Sequence, residues 1–134
     1  MLIDTLNTQS YWIGRIYPRE VMEKAISDKM NDIKQRKFVG IFIENYDSDQ
    51  RYSPKIDISD VSHLFLSAYM NDREQIEGDI EILQTEKSNR LNEYMKYHPE
   101  RIRFFPRGIG KVGPDNKTVT EFELISIDAY LMEV

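Results

Sequence analysis

Residues 108–113 read GIGKVG, a literal G-x-G-x-x-G, and the sequence around them excludes the fold this pattern usually announces. Glycines so spaced bind pyrophosphate when the loop follows a strand and opens a helix whose N-terminal amides face the phosphates. Here Gly113 runs into Pro114-Asp115-Asn116-Lys117, a turn cluster. Beyond it, TVTEFELISIDAYL is rich in β-branched and aromatic residues, so the next element is a strand. Between Gly113 and Val134 there is no room for a βαβ unit with an acidic ribose partner. The expectation is a glycine-bearing segment that leads through a turn into the last strand, with no cofactor.

The 134 residues suit one domain, 1–134, with a single core. No apolar run approaches the length that spans a bilayer, and MLIDTLNTQS has neither the basic nor the apolar region of a signal peptide. An intracellular protein away from membranes is expected. The absence of cysteine excludes disulfides, thiolate chemistry and zinc–thiolate sites. A net charge of −5 with interspersed signs argues against a duplex-DNA partner, which calls for a basic face. The densest basic run, Lys34-Gln35-Arg36-Lys37, suits the negative end of a helix dipole.

Along the chain, SYWIGRIYPREVMEKAISDKMNDIKQRK begins extended and turns helical at Pro18, where proline suits a first helical position. Val21, Met22, Ala25, Ile26, Met30 and Ile33 recur at helical steps and make an apolar stripe. FVGIFIEN is a short buried strand, and DSDQRYSPKIDISD is a loop. VSHLFLSAYMND and QIEGDIEILQT read as two antiparallel strands joined near Asn71-Asp72. EKSNRLNEYMKYHP is a second helix, with Leu91, Tyr94, Met95 and His98 on one face. Helices among many strands with few βαβ crossovers imply an α+β fold: a curved or barrel-like antiparallel sheet with two main helices.

Chemistry is sparse. His63 lies in a strand, where a satisfied or solvent-facing imidazole is the ordinary case, and His98 precedes Pro99 at a helix end, where it caps carbonyls. Two distant histidines with scattered carboxylates make no metal site. ENYDSDQ lacks the glycine and the distal glutamate of a calcium loop. There is no GxSxG elbow.

Five segments in order nevertheless carry a resemblance. They are GRIYPREVMEKAI (14–26), FVGIFIEN, IDISDVSHLF, IEGDIEILQTEKSNRLNEYM and FFPRGIGKV with FELISIDAYL. Over most of residues 12–131 the chain resembles the prohead (capsid maturation) proteases of tailed phages, which share a fold with herpesvirus assemblin. The matching family segments are GRxYP before a helix, a strand ending Gly-Glu-Leu-Asp-His-Pro, a second histidine segment, G-x-(V/I)-E-I-L-x-T before a helix, and Ser-Ser-Arg-Gly-x-Gly with a terminal Ile-Asp strand. The resemblance implies that domain 1–134 is prohead-protease-like. It also reads Arg107-Gly108-x-Gly110 as the family's arginine–glycine loop.

The departures bear on function. The family's serine nucleophile falls at Phe105 and Pro106, which have no hydroxyl or thiol to activate. The first family histidine falls at Glu44 or Asn45, so only His63 is retained. Backbone donors around Arg107 without a nucleophile are a scaffold. The implied protein is a catalytically inactive virion structural or head-assembly component. Its partners would be other phage structural proteins or copies of itself, in the host cytoplasm during assembly or in the virion. The alternatives are an active serine protease using Ser62 or Ser67, and a phage-encoded inhibitor or regulator of a host protein. Against Ser62 stands its adjacency to His63, which places the two on opposite sheet faces.

Aromatic residues (Tyr11, Trp12, Tyr17, Tyr94, Tyr97, Phe104, Phe105 and Tyr130) offer material for core or interface. Phe104, Phe105, Arg107 and Gly108 are the interaction candidates, the two adjacent rings facing opposite sides. The apolar end AYLMEV would be an exposed edge if unpaired, which favours oligomerisation. His63→Ala should leave assembly intact unless the imidazole is buried and hydrogen-bonded. Phe105→Ser should cost about 3 kcal/mol if the ring is core.

Overall fold

A computed structural model of the chain describes residues 15–45 and 55–133, together with the backbone of the first strand, β1 (Leu2–Thr5). Tyr11, Trp12, most of ENYDSDQ and Val134 lie outside the described residues. The helix expected from Pro18 onward starts at Arg19, with Pro18 extended at its cap, and breaks once. Helix α1 (Arg19–Ser27) stops where the Asp28 N–H bonds the Lys24 carbonyl and the Lys29 N–H the Ile26 carbonyl, and α2 (Met30–Lys34) resumes the same apolar stripe. Ser27, Asp28, Asn31 and Asp32 are residue types of low helix propensity, which weakens a continuous helix here. The stripe buries Met22, Ala25, Ile26 and Ile33, so the first of the two main helices expected is itself two, and the described residues hold three α-helices.

The strands β2 (Val39–Ile43), β3 (Val61–Phe65), β4 (Tyr69–Met70), β5 (Gln75–Glu77) and β6 (Ile80–Ile82) precede helix α3 (Glu86–Tyr97). Strands β7 (Ile102–Val112) and β8 (Val119–Leu131) follow it. The two strands expected around Asn71 are each cut in half. Leu66 N–H bonds the Asp79 carbonyl at 2.8 Å, and a Cβ on Gly78 would lie 2.2 Å from the Ser67 carbonyl oxygen. The ribbon therefore bends at one level on both arms. Its inner half (β3, β6) joins one sheet and its outer half (β4, β5) another.

The larger sheet has the order β6-β3-β2-β8-β7 and the smaller β1-β5-β4. The larger sheet is open, so the barrel-like expectation does not hold. It is antiparallel except for β2 and β8, which run parallel with Phe42 opposite Ala129 and Ile43 opposite Tyr130. The glycine segment forms the outer part of β7, paired along its length with β8. Its turn is held by the Asp115 carboxylate, which accepts from Lys117 N–H and Thr118 N–H, each at 2.9 Å.

Strand β8 sits inside the sheet, with Ala129 and Tyr130 buried. The AYL end is thus no exposed edge, and that argument for oligomerisation falls. One sheet face carries the main core beneath the helices, including Met22, Phe42, Phe65, Leu91, Phe104 and Ile127. The other carries Ile41, Ile43, Phe105 and Tyr130.

Candidate functional site

Strand β3 carries His63 on a bulge. Gly40 pairs with His63 and Ile41 with Val61, so Ser62 is an extra residue in the ladder. A bulge locally cancels the alternation of faces. Ser62 Oγ therefore reaches His63 Nδ1 at 2.8 Å, where regular strand geometry would have put the two residues on opposite faces. Helix α3 is tied to the same point: Ser88 Oγ donates to the Ser62 carbonyl at 2.7 Å, and Thr85 caps the helix through Ser88 N–H.

From β3 the imidazole lies across Gly40 of β2 and meets the Ile127 carbonyl of β8, with Nε2 to oxygen 2.9 Å. A carbonyl only accepts, so Nε2 carries the proton, Nδ1 is an acceptor and Ser62 Oγ–H donates to it. The ring stands edge-on to Phe65 and Phe104, at 5.5 and 5.6 Å between centroids. Ser62 and His63 are 0% exposed. Burial pushes the imidazole down to about 4 from an ordinary 6.5, against the opposing Ile127 hydrogen bond.

Because the folded value is depressed, the stability carried by neutral His63 is complete above pH 6.5 and is lost as pH falls toward 4. Below the unfolded value the unfolded chain takes the proton and the native chain refuses it. The loss across this window is about 3 kcal/mol. Urea unfolding of wild type and His63→Gln at a series of pH values should show the wild type losing that much more than the variant. Parallel profiles would contradict the assignment.

The two positions that the resemblance assigns to the family's nucleophile, Phe105 and Pro106, lie on β7, and they split between the faces. Phe105 pairs with Asp128 and Pro106 with Ile127, the residue that His63 also touches. Phe105 is 7% exposed, stacked edge-on to Tyr130 at 5.3 Å in the second core. It is core, so Phe105→Ser is expected to cost about 3 kcal/mol in denaturant midpoint measurements.

Beside Phe105 lies a buried charged cluster that sequence reasoning missed. Arg107 Nε donates to Ser126 Oγ at 3.0 Å, and Ser126 Oγ donates to Asp128 Oδ1 at 2.9 Å. Ile41 N–H donates to the same oxygen at 3.1 Å. Asp128 Oδ2 lies 3.0 Å from Arg107 Nε, a purely ionic contact, because that N–H is aligned on Ser126. Among the described residues Oδ2 accepts no hydrogen bond. Burial pushes the Asp128 carboxyl above its ordinary value, opposed by the Arg107 guanidinium. The visible signal was polar Ser126 and Asp128 at alternate positions in the apolar run LISIDAYL.

Other expected residues scatter. Ser67 bonds exposed Asp79, so it does not serve His63. Glu44 pairs with Arg90 and Lys87, and His98 is an exposed helix end beside Glu100. Phe104, Phe105 and Arg107 are 5%, 7% and 5% exposed, and Gly108 is half-buried in the ladder. The side chains of Phe104, Phe105 and Arg107 present little surface of their own to a partner. The burial and both hydrogen bonds of His63 meet the stated exception, so His63→Ala will report on folding as well as function. No group of three or more metal-binding side chains occurs among the described residues, and no described helix is long and apolar enough to cross a membrane.

The fold is prohead-protease-like. The similarity that shows it is to the bacteriophage T4 capsid assembly protease, gp21, with a TM-score of 0.67 over 97% of this chain and 90% of that one. Sequence identity is 15%, so the likeness is one of fold. No protein-family profile matches the chain, and no curated protein matches it.

Proposed function

We propose that the chain is a catalytically silent phage protein of prohead-protease fold that serves as a virion structural or head-assembly component. The observation that carries this reading is that Phe105, which the resemblance puts at the nucleophile position together with Pro106, is buried in the core, and neither ring offers a nucleophile. Both His63 nitrogens are engaged, and the imidazole has no exposed surface to offer a peptide. Acyl transfer needs a nucleophile and a base that both reach the substrate. The partners proposed are other structural proteins of the particle or copies of this chain, in the host cytoplasm during assembly, without a cofactor.

The test incubates the purified protein with a denatured protein substrate and with scaffold extract of its own phage. No cleavage is expected, and the protein should be present in many copies in purified particles. Its absence from particles would favour a regulator of a host protein. A second reading has one observation in its favour, the 2.8 Å contact from Ser62 Oγ to His63 Nδ1. If Ser62 is a nucleophile uncovered by movement of α3, a serine-reactive phosphonate will label it, and Ser62→Ala will abolish both label and cleavage.

A further inference from the structure

Two bulges of the larger sheet meet at one oxygen. In β2–β3, Gly40 pairs with His63 and Ile41 with Val61, which makes Ser62 the extra residue. In β7–β8, Arg107 pairs with Ser126 and Gly108 with Leu124, which makes Ile125 the extra residue. Alternation from Tyr130 through Asp128 and Ser126 would carry Leu124 to the second face, yet Leu124 is buried in the main core. The second bulge returns it there, as the first lets Ser62 reach His63.

Asp128 Oδ1 serves both places. It accepts from Ile41 N–H at 3.1 Å, where the β2–β3 pairing shifts, and from Ser126 Oγ–H at 2.9 Å, beside the shift in β8. Arg107, the last residue of β7 before that shift, reaches the same oxygen with Nη2 at 3.4 Å and Ser126 Oγ with Nε at 3.0 Å. Oδ2 accepts no hydrogen bond among the described residues. A pair built for stability alone would gain from bonding both oxygens. Moving either bulge by one residue trades ladder bonds for others of the same kind, but it parts a buried charge or a main-chain donor from its partner. We propose that Asp128 is a positioning residue: its Oδ1 fixes where both bulges fall, and through Ile41 it holds the Ser62–His63 contact in place from the opposite face of the sheet. The inference concerns where the imidazole is held and is independent of whether the chain is catalytically silent.

The test compares two variants of the isotope-labelled full chain, Arg107→Met/Asp128→Asn and Arg107→Met/Asp128→Leu. Both are neutral at the cluster and both lack the guanidinium, but only asparagine keeps a carbonyl acceptor for Ile41 and Ser126. Three signals are read at neutral pH: the imidazole nitrogen shifts of His63, the methyl shifts of Leu124, and the exchange of the Ile41 amide. Exchange is measured relative to the Phe65 amide, which bonds the Phe38 carbonyl in the same sheet, so that a general loss of stability cancels. The asparagine variant should match the wild type in all three. The leucine variant should exchange Ile41 about tenfold faster relative to Phe65 and give a second set of His63 and Leu124 signals. A folded leucine variant with wild-type His63 and Leu124 signals would overturn the proposal. An asparagine variant in which Ile41 exchanges about tenfold faster while His63 keeps its wild-type signals would overturn it too, and this arm decides even where the leucine variant does not fold.

Discussion

Asp128→Ala is expected to destabilise the protein by about 3–5 kcal/mol, the cost of leaving a buried guanidinium without its counter-charge. Arg107 is 5% exposed, and its Nε and Nη2 atoms reach the Asp128–Ser126 pair. The same substitution strips the Ile41 N–H of its acceptor in the middle of the sheet. Removing both charges should cost less than removing one, since an apolar pair of similar volume needs no solvation. Urea unfolding of Asp128→Ala, Arg107→Met and Arg107→Met/Asp128→Leu measures this directly. A double variant less stable than Asp128→Ala would show that the pair, and not the isolated charge, carries the stability.

Gly40→Ala is the second large effect, with a loss of about 3 kcal/mol or more. An added Cβ would lie 2.1 Å from the Ile127 carbonyl oxygen and 2.4 Å from His63 Nε2, the two atoms whose hydrogen bond passes over this glycine. Backbone on one side and a wedged ring on the other leave no direction for relief. The methyl must spread β2 from β8 or expel the imidazole. Gly110→Ala, with its nearest contact at 3.3 Å from the Glu121 carbonyl oxygen, needs a shift of only a few tenths of an ångström and should cost clearly less. Equal losses at the two sites would mean that the close approach at Gly40 is relieved cheaply. An upward shift of the His63 titration in Gly40→Ala would show that the ring is the part that yields.

Much of the secondary structure was legible in the sequence. The apolar stripe from Val21 to Ile33, the continuous run FVGIFI and the turn at Pro114–Lys117 each carry a local signal that tertiary contacts reinforced. The breaks were not legible. The interruption between α1 and α2, and the bend shared by Ser67 and Gly78, arise from polar residues whose alternatives to helix or ladder are decided by neighbours distant in sequence. The candidate site was half legible. His63 was singled out, but its contact with Ser62 depends on a bulge, and a bulge is a mismatch between two strands that neither strand displays alone.

The sequence by itself determined that GIGKVG cannot open a helix, that no thiolate chemistry is possible, and that Phe105 and Pro106 hold no nucleophile. These are facts of residue type and local turn chemistry, and no fold changes them. Only the tertiary structure decided that Phe105 is core, that β8 is an interior strand, and that Asp128 answers Arg107 across the hairpin. Each of these depends on which strands become neighbours. That choice is made by the burial of two whole sheet faces at once, which no single segment encodes.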